Sequence, residues 1–306
     1  MPNHFDLFQY KSVPIQEIYD PIFEEHHVRV LVKREDKVHP IISGNKWHKL
    51  RYNVLQAIQE NHNQIISFGG AYSNHLHALA YAAEQSGMSS IGVVRGEKTE
   101  PLNSTLQFVS DHGMKIHYVN RQTYQKKNTE SFINSLIKQY GRSYIVPEGG
   151  SNALAVKGCS EMLNNVPMLF NVVCCACGTG ATLAGLIAGL KADQRAIGFA
   201  VLKGGGFLIE DVERLSSRSD TNANQGWDVM LDYHMGGYAK VPFELKSFVL
   251  AFEEKHAIPL DPIYTAKMFY GLYDLIRKGH FKRGETILAI HSGGLQARTS
   301  AMDSKT

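Results

Sequence analysis

The amino-acid sequence predicts an α/β protein with two parallel sheets and flanking helices. Short apolar runs alternate with stretches of helical periodicity over most of the chain, which is the pattern of β–α–β units. Several of these runs end in glycine-rich turns that lead directly into a helix. The number of predicted strands is high for one sheet, so they are assigned to two sheets.

The elements follow in chain order, although the first 27 residues show no clear pattern. Strands are predicted over residues 28–32, 65–68, 91–94, 116–119, 144–146, 171–176, 196–201, 227–231 and 286–290. Helices are predicted to start near Lys46, Ser73, Asn103, Thr123 and Ser151, and to cover 182–190, 244–254 and 264–278. The polar segment 216–225 is predicted to be a surface loop.

Composition and charge narrow the class of protein. The 306 residues suffice for one large or two medium domains, and a hydrophobic fraction of 43% can build a substantial core. The formal net charge is only +3 and no long block of like charge occurs, so nucleic acid and membrane surfaces are not expected as partners. We find no signal peptide and no membrane-spanning apolar stretch, and therefore expect a cytoplasmic protein.

The cysteines are predicted to be buried and reduced. Cys174 and Cys175 are neighbours on one predicted strand and should point to opposite faces, which disfavours a disulfide framework. Cys159 and Cys177 complete the set, but the paired spacing of a zinc site is missing. We therefore expect no metal.

The segment Ser43–Leu50 is predicted to open a helix that carries a reactive lysine. Apolar residues recur at helical spacing from Trp47 onward, and Gly44 lies where an extended segment turns into the helix. Lys46 falls in the first turn, where its amine can point into a cleft and form a Schiff base with an aldehyde. Taken alone, the segment fits an exposed lysine on an amphipathic helix at least as well.

Two further segments are predicted to bind anions. Phe68–His75 contains a glycine pair followed by Ser and Asn at a helix start, whose free N–H groups suit a carboxylate. Ser73 also fits a simple helix N-cap, and the two roles are compatible. The glycines of Cys177–Gly185 allow N–H groups to surround a phosphate. Reactive lysine, carboxylate site and phosphate site together are what a pyridoxal-phosphate enzyme requires.

A dinucleotide-binding turn is the alternative for the third segment. Its second glycine is followed by Ala-Thr-Leu-Ala-Gly and not by x-x-Gly, and no acidic residue ends the next predicted strand. Both features disfavour a nicotinamide-dependent oxidoreductase.

In this order and spacing, the three segments resemble the tryptophan-synthase-β-like family of pyridoxal-phosphate enzymes, in particular its branch of 1-aminocyclopropane-1-carboxylate deaminase and D-cysteine desulfhydrase. The match runs from about residue 28 to about residue 295. It includes Lys49-Leu50 at the end of the first segment and three other segments: Lys33-Arg34-Glu35-Asp36, Asp261-Pro262-Ile263-Tyr264 and His291-Ser292-Gly293-Gly294.

The resemblance implies a tryptophan synthase β-like fold with two domains. The larger domain would comprise residues 1–51 and 158–306, and the smaller, inserted domain residues 52–157. The ligand would lie between them, at the carboxyl ends of the strands. We expect pyridoxal 5'-phosphate as cofactor, a small amino acid as substrate and a homodimer as the assembly.

The resemblance also implies roles for single residues. Lys46 would form the Schiff base, with Lys49 as a supporting charge. Ser73 would lie beside the substrate and shuttle a proton, and Asn74 would bind the substrate and the ring oxygen of the cofactor. His75 is expected to make a polar contact there, whereas His77 is expected to cap a helix or face solvent. The phosphate is expected on Gly178, Thr179, Gly180, Ala181 and Thr182.

Four residues in the C-terminal part are expected at the substrate or the ring. Tyr238 and Tyr264 would line the substrate pocket, with Tyr264 as an acid or base, although each also fits a partly buried core aromatic. Thr265 would face the pyridine nitrogen, where the deaminase has a glutamate. Ser292 would contact the substrate, where the deaminase has a leucine and desulfhydrases have a small hydroxyl residue.

These two differences favour β-elimination from D-cysteine, which releases sulfide, ammonia and pyruvate. Without a carboxylate next to its pyridine nitrogen, the ring of pyridoxal phosphate withdraws electrons less strongly. Such a ring suits the elimination of a good leaving group such as a thiolate. Ring-opening deamination of 1-aminocyclopropane-1-carboxylate is the first alternative. A non-catalytic ligand-binding protein with the same fold is the second.

Overall fold

A computed structural model describes residues 7–98, 100–164, 166–216 and 226–298. In these ranges the chain forms two sheets, one of six strands and one of four, with helices on both faces of each. The predicted α/β class with two parallel sheets is confirmed. From residue 217 on, the loop predicted for 216–225 lies outside the described residues.

The larger sheet has its strands in the order β1-β2-β10-β7-β8-β9. All neighbours are parallel except β1, which pairs antiparallel with β2 at the edge. The strands are β1 (Ile15–Ile18), β2 (Arg29–Lys33), β7 (Val172–Cys177), β8 (Arg195–Ala200), β9 (Trp227–Met230) and β10 (Thr286–Ile290).

The smaller sheet is entirely parallel and has the order β5-β4-β3-β6. Its strands come from one continuous part of the chain, whereas the larger sheet takes strands from both sides of that part. The strands are β3 (Gln64–Gly70), β4 (Ser89–Arg95), β5 (Met114–Val119) and β6 (Tyr144–Ile145).

The helices cover the faces of the two sheets. They are α1 (Pro21–Glu25), α2 (Asn45–Gln59), α3 (Asn74–Gln85), α4 (Ser104–Asp111), α5 (Arg121–Gln125), α6 (Glu130–Tyr140), α7 (Ala153–Ser160), α8 (Ala181–Ala188), α9 (Phe207–Ser216), α10 (Phe243–His256) and α11 (Thr265–Arg277). None of these described helices is long and apolar enough to cross a membrane.

The helix expected near Thr123 is in fact two helices. Asn120 caps α5 by accepting the N–H of Thr123, and Thr129 caps α6 by accepting the N–H of Phe132. Each cap accepts a backbone N–H group at the start of its own helix, so the helix is interrupted between α5 and α6. The elements β1, α1 and α9 were not predicted.

The core lies on both faces of the larger sheet. Successive residues of β7 alternate between two apolar clusters, with Val172 and Cys174 on one face and Val173 and Cys175 on the other. Both faces are covered by helices, which explains the uninterrupted apolar run of this strand. The prediction that Cys174 and Cys175 point to opposite faces is confirmed, and all four cysteines are free and buried.

The domain boundaries remain predictions. The predicted limit at residue 52 falls inside α2, and the limit at residue 157 falls inside α7. These two helices pack against each other, and the Cβ position of Gly158 on α7 lies 2.0 Å from the backbone oxygen of His48 on α2, so only glycine allows this approach. Both helices therefore belong to the seam between the two sheets.

Candidate active site

The start of α2 is held against the loop after β10. Gly44 has a φ of 64°, and a Cβ atom there would lie 1.8 Å from the backbone oxygen of Ser292. That same oxygen accepts the N–H of Asn45 at 3.2 Å, and the oxygen of Glu35 accepts the N–H of Gly44 at 3.1 Å. Only glycine fits at residue 44, and Lys46 is thereby directed towards the cleft between the sheets.

Lys46 has the electrostatic surroundings of a nucleophilic amine. Its Nζ donates to Asn45 Oδ1 at 3.0 Å. Burial and, to a smaller extent, the charge of Lys49 together lower the pKa of Lys46 to about 7. A substantial fraction of the amine is therefore unprotonated at neutral pH and able to attack an aldehyde. The small cleft at Lys46 is also lined by Asn45, Asn74, Ser292, Gly294 and Gln296.

Lys49 faces the turn between β7 and α8. The Lys49 Nζ lies 3.5 Å from Thr179 Oγ1, which also accepts the hydroxyl of Ser151 at 2.5 Å. Asn45 Nδ2 donates to Thr182 Oγ1 at 2.9 Å, so α2 is joined to this turn at a second point. Lys49 is 2% exposed, and burial lowers its pKa.

The turn itself has the geometry of an anion site. Gly180 has a φ of 74° and directly precedes the first residue of α8, Ala181. The N–H groups in the first turn of a helix lack intrahelical acceptors and attract anions. The turn is closed on one side by Tyr264, whose Cε1 lies 3.1 Å from the Cβ position of Gly178.

The segment before α3 presents a second helix start to the cleft. Ser73 is its N-cap, because its Oγ accepts the N–H of Leu76 at 3.2 Å. The predicted cap is therefore confirmed. Gln296 Nε2 donates to Asn74 Oδ1 at 2.5 Å, and the Cβ position of Gly294 lies 2.8 Å from Asn74 Nδ2. Gln296 was not predicted, since it lies 222 residues away in the chain.

The two tyrosines lie together. The hydroxyl oxygens of Tyr238 and Tyr264 are 3.5 Å apart, and burial raises the pKa of both phenols. The preceding glycine, Gly237, has a φ of 127° and packs against Lys203, with 3.5 Å between its Cβ position and the lysine Cβ. The loop that starts at Lys203, after β8, therefore supports the approach to Tyr238.

Thr265 is completely buried and its hydroxyl is occupied. Its Oγ1 accepts the N–H of Asp261 at 2.8 Å and donates to the oxygen of Asp261 at 3.2 Å. The carboxylate of Asp261 accepts the N–H groups of Tyr264 and Ile263 at 2.6 and 3.3 Å. Burial raises the pKa of Asp261 to about 7, although these N–H groups act in the opposite direction.

The two histidines of α3 differ from each other. His75 Nε2 lies 2.8 Å from Ser67 Oγ, and burial together with the charges of Lys46 and Lys49 lowers the pKa of His75 well below its usual value. His77 does not cap a helix or face solvent as expected. It is buried in a stack on Phe108 with 3.8 Å between ring centroids, because the aromatic side chain of α4 covers this face of α3.

The family of the chain follows from comparison with known proteins. A family model described as pyridoxal-phosphate dependent enzyme matches residues 14–293. The chain belongs to this family. Within these pyridoxal-phosphate enzymes it is a member of the branch of 1-aminocyclopropane-1-carboxylate deaminases and D-cysteine desulfhydrases, as its relatives show.

One relative, from Pyrococcus furiosus, is provisionally named a 1-aminocyclopropane-1-carboxylate deaminase. It is 32% identical over 280 residues, which cover 87% of this chain and 84% of the relative. A second, from Arabidopsis thaliana, is described as a mitochondrial bifunctional D-cysteine desulfhydrase and 1-aminocyclopropane-1-carboxylate deaminase. The two sequences are 30% identical over an alignment of 320 positions, which covers 96% of this chain and 79% of the relative.

Solved structures agree with this assignment of fold. The crystal structure of a homologue of 1-aminocyclopropane-1-carboxylate deaminase is 27% identical, with a TM-score of 0.82 and coverage of 99% of both chains. A hydrogen sulfide-producing enzyme of Fusobacterium nucleatum is 14% identical with a TM-score of 0.69, covering 97% of this chain and 99% of that chain, and so shares the fold. The predicted family, fold and cofactor are confirmed.

The residues present at the site fit pyridoxal phosphate. Lys46 offers an amine of which a substantial fraction is unprotonated at neutral pH, and Lys49 offers a cation beside the turn at Thr179. His75 Nδ1 is buried and has no hydrogen-bond partner among the described residues, and it lies next to Gly150. Among the same residues, no group of three or more acidic, histidine or cysteine side chains could hold a metal ion.

Proposed function

We propose that this enzyme catalyses β-elimination from D-cysteine or a similar β-substituted D-amino acid, with sulfide, ammonia and pyruvate as products. The observation that carries the proposal is the state of Thr265, the residue expected at the pyridine nitrogen. Its hydroxyl proton is donated to Asp261 and its side chain carries no charge. A neutral acceptor supports a protonated ring far less than a carboxylate does.

The chemistry of the leaving group follows from this. When bound, pyridoxal phosphate withdraws electrons from the α-carbon of an attached amino acid, and it does so more strongly when its ring nitrogen is protonated. A weaker electron sink suits loss of a good leaving group such as a thiolate. In the elimination, the α-proton goes to a base and the sulfur leaves the β-carbon with the bonding electrons. Water then releases ammonia and pyruvate.

We assign Lys46, Lys49 and the β7–α8 turn to the cofactor. Lys46 Nζ would hold the aldehyde, supported by its low pKa and its position in the cleft. The N–H groups of Gly178, Thr179, Gly180 and Thr182 and the Lys49 ammonium would hold the phosphate, supported by the contact between Lys49 and Thr179. The N–H of Ala181, which was also expected there, donates to the oxygen of Thr179 at 2.9 Å. His75 would stay neutral and offer its free Nδ1 at the same place.

We assign the start of α3 to the amino-acid substrate. The N–H of Asn74 would bind its carboxylate, whereas the N–H of Ser73, which was also expected there, donates to the oxygen of Gly70 at 3.1 Å. The Ser73 hydroxyl accepts a hydrogen bond from Leu76 and keeps its own proton available for transfer. Gln296 fixes the orientation of Asn74, because the amide oxygen accepts from Gln296 and the Nδ2 donor is left to face the ring oxygen. Tyr264 would act as acid or base towards the leaving group.

Ring-opening deamination of 1-aminocyclopropane-1-carboxylate is the second candidate. The names of the Pyrococcus and Arabidopsis relatives favour it as much as they favour desulfuration. The two reactions release different products from their substrates, so they are separable in one assay series. A homodimeric assembly and a cytoplasmic location remain predictions.

The test measures sulfide from D- and L-cysteine and 2-ketobutyrate from aminocyclopropane carboxylate, using purified protein loaded with pyridoxal phosphate. We expect rapid sulfide release from D-cysteine and little or no ketobutyrate. The Lys46→Ala protein is the control and should lose both covalent trapping of the cofactor by borohydride and sulfide release. Efficient ring opening without sulfide release would refute the proposal in favour of the second candidate.

A further inference from the structure

The segment that follows β6 closes one side of the turn between β7 and α8, the turn that we assign to the phosphate. The segment runs through Gly149 and Gly150, which have φ values of 65° and 72°, to Ser151. A Cβ atom on Gly149 would lie 3.0 Å from Thr179 Oγ1, so the backbone of this segment packs directly on the Thr179 side chain. Ser151 is thereby brought to a turn that lies 28 residues away in the chain.

The position of Ser151 is fixed by its neighbour Asn152. Asn152 Oδ1 accepts the N–H of Ala155 at 3.0 Å and so caps α7. Asn152 Nδ2 donates to Asn53 Oδ1 at 2.7 Å, and Asn53 Nδ2 donates in turn to the backbone oxygen of Lys49 at 2.7 Å. The segment is therefore attached to α2 at the same residue whose ammonium faces Thr179, and Ser151 is held beside the turn.

Ser151 determines the direction of the hydroxyl proton of Thr179. A threonine hydroxyl has one proton to donate and two lone pairs that can accept. Ser151 Oγ donates to Thr179 Oγ1 at 2.5 Å, and the Lys49 ammonium faces the same oxygen at 3.5 Å. With donors on both of these sides, the Thr179 proton points towards neither of them. It donates to no acceptor among the described residues and is left to point into the turn.

We propose that Ser151 is a positioning residue for the cofactor phosphate, and that it acts by directing the hydroxyl of Thr179 at the phosphate. The proposal rests on the proposed function, in which the β7–α8 turn and Lys49 hold this group. A hydroxyl that is oriented in advance donates to a phosphate oxygen without first giving up another acceptor. Hydrogen bonds to such a charged acceptor are stronger than those between neutral groups.

The experiment compares the affinity of the cofactor-free protein for pyridoxal phosphate and for pyridoxal, which lacks the phosphate. Absorption titrations give both dissociation constants, and their ratio measures the contribution of the phosphate. For Ser151→Ala we expect the dissociation constant of pyridoxal phosphate to rise about fivefold, the value of one lost hydrogen bond. The dissociation constant of pyridoxal should change by less than about twofold, because the Ser151 hydroxyl donates only to Thr179.

Variants of Thr179 show whether Ser151 acts through it. Thr179→Val removes the hydroxyl and should raise the dissociation constant of pyridoxal phosphate about tenfold or more, the loss of a hydrogen bond to a charged group. Adding Ser151→Ala should then have no further effect, because no hydroxyl remains to be directed. Thr179→Ser keeps the hydroxyl and should retain most of the preference for the phosphate. Losses that add in the double variant would show that Ser151 contacts the phosphate itself, and would overturn the positioning role.

Ser160→Ala is the matched control for the loss of a serine hydroxyl. Ser160 is the last residue of α7, and its Oγ donates to the oxygen of Lys157 at 2.8 Å, so both dissociation constants should keep their wild-type values. A preference for pyridoxal phosphate over pyridoxal that is the same in Ser151→Ala and wild type would overturn the proposal. This includes an equal weakening of both ligands, which would make Ser151 a residue of the fold alone.

The same titrations separate this proposal from the proposed function. No turnover is measured, so the result does not depend on which amino acid is the substrate or on whether elimination occurs. Absence of any preference for pyridoxal phosphate in the wild type would refute the assignment of the turn to the phosphate, and the proposal with it. A preference that is lost in Ser151→Ala would support the role of Ser151 even if D-cysteine is not a substrate.

Discussion

The imidazole of His48 lies 2.8 Å from the carboxylate of Glu35, and both side chains are almost fully buried. The second carboxylate oxygen of Glu35 lies 3.0 Å from the Lys33 ammonium, which is buried as well. Glu35 thus holds α2 on both sides of Lys46, through its backbone oxygen to Gly44 and through its side chain to His48.

Removal of the Glu35 charge should destabilise the protein strongly. Glu35→Gln leaves the Lys33 charge buried without its anion, and breaking a buried pair in this way costs about 3–5 kcal/mol. Urea denaturation measures the loss. The matched control is Glu17→Gln, which breaks the exposed pair with Arg29 and should cost no more than about 1 kcal/mol. Similar losses in the two variants would contradict this assignment.

The Glu35 carboxylate should also make the free energy of unfolding fall at acidic pH. Burial pushes the pKa of Glu35 up, but His48 and Lys33 outweigh it, so the pKa is lowered from its ordinary value of 4.5. The stability that it contributes is therefore complete above pH about 4.5 and is lost as pH falls through the folded-state pKa. In Glu35→Gln, the free energy of unfolding should vary less with pH in that range.

Covalent capture of an aldehyde should report the pKa of Lys46. Its amine reacts when unprotonated, so the rate at which the cofactor-free protein captures pyridoxal should rise as pH rises through about 7. Pyridoxal lacks the phosphate, so the measurement does not depend on the phosphate turn. Lys49→Met removes a positive charge that lowers the pKa of Lys46, and the midpoint should move to higher pH.

Two variants complete the pH experiment. Lys138→Met removes an exposed charge on α6 and should leave the midpoint unchanged. Lys46→Ala should abolish capture. A midpoint that stays in place in Lys49→Met would show that burial alone sets the pKa of Lys46.

Ser73 should contribute both to stability, as a helix N-cap, and to turnover. Ser73→Ala removes the acceptor for Leu76 and should cost about 1 kcal/mol of unfolding free energy. Cofactor occupancy should stay high and turnover should fall strongly, because we assign Ser73 to the substrate and not to the cofactor. Asn103→Ala is the matched control, since Asn103 caps α4 by accepting the N–H of Leu106. Asn103→Ala should lose a similar amount of unfolding free energy and keep its activity. Equal activity in the two variants would show that Ser73 acts only as a helix cap.

Sequence was sufficient where local chemistry determines structure. The buried parallel strands are continuous apolar runs, and Ser73 and Gly44 lie at helix starts that only certain residues permit. α9 was missed although its signal was present, since Leu208, Val212 and Leu215 recur at helical spacing. β1 was missed because four residues at the antiparallel edge of a sheet leave little pattern.

Long-range partners could not be read from the sequence. The contact of Gln296 with Asn74 joins residues 222 positions apart, and no local pattern marks it. His77 resembles a polar residue on a helix surface until Phe108 of the next helix is seen to cover it. The resemblance predicted that the hydroxyl of Thr265 faces the pyridine nitrogen. Only the fold shows that this hydroxyl already forms hydrogen bonds with the backbone N–H and oxygen of Asp261.

The residue at position 265 should control the choice between elimination and ring opening. Thr265→Glu supplies a carboxylate where the wild-type hydroxyl is neutral and occupied by Asp261. A carboxylate paired with the ring nitrogen favours the protonated ring and so a stronger electron sink. Ring opening of an unactivated cyclopropane gains more from this than loss of a thiolate does.

The measured quantity is the ratio of ketobutyrate release from aminocyclopropane carboxylate to sulfide release from D-cysteine. In Thr265→Glu it should rise by about tenfold or more, the value of one hydrogen bond to a charged group. Thr265→Gln introduces a side chain of nearly the same shape as glutamate but without its charge, and it should leave the ratio close to that of wild type. Because Thr265 is fully buried, cofactor occupancy and unfolding free energy are measured for both variants. A ratio that rises equally in both, at equal occupancy, would attribute the change to shape and not to charge.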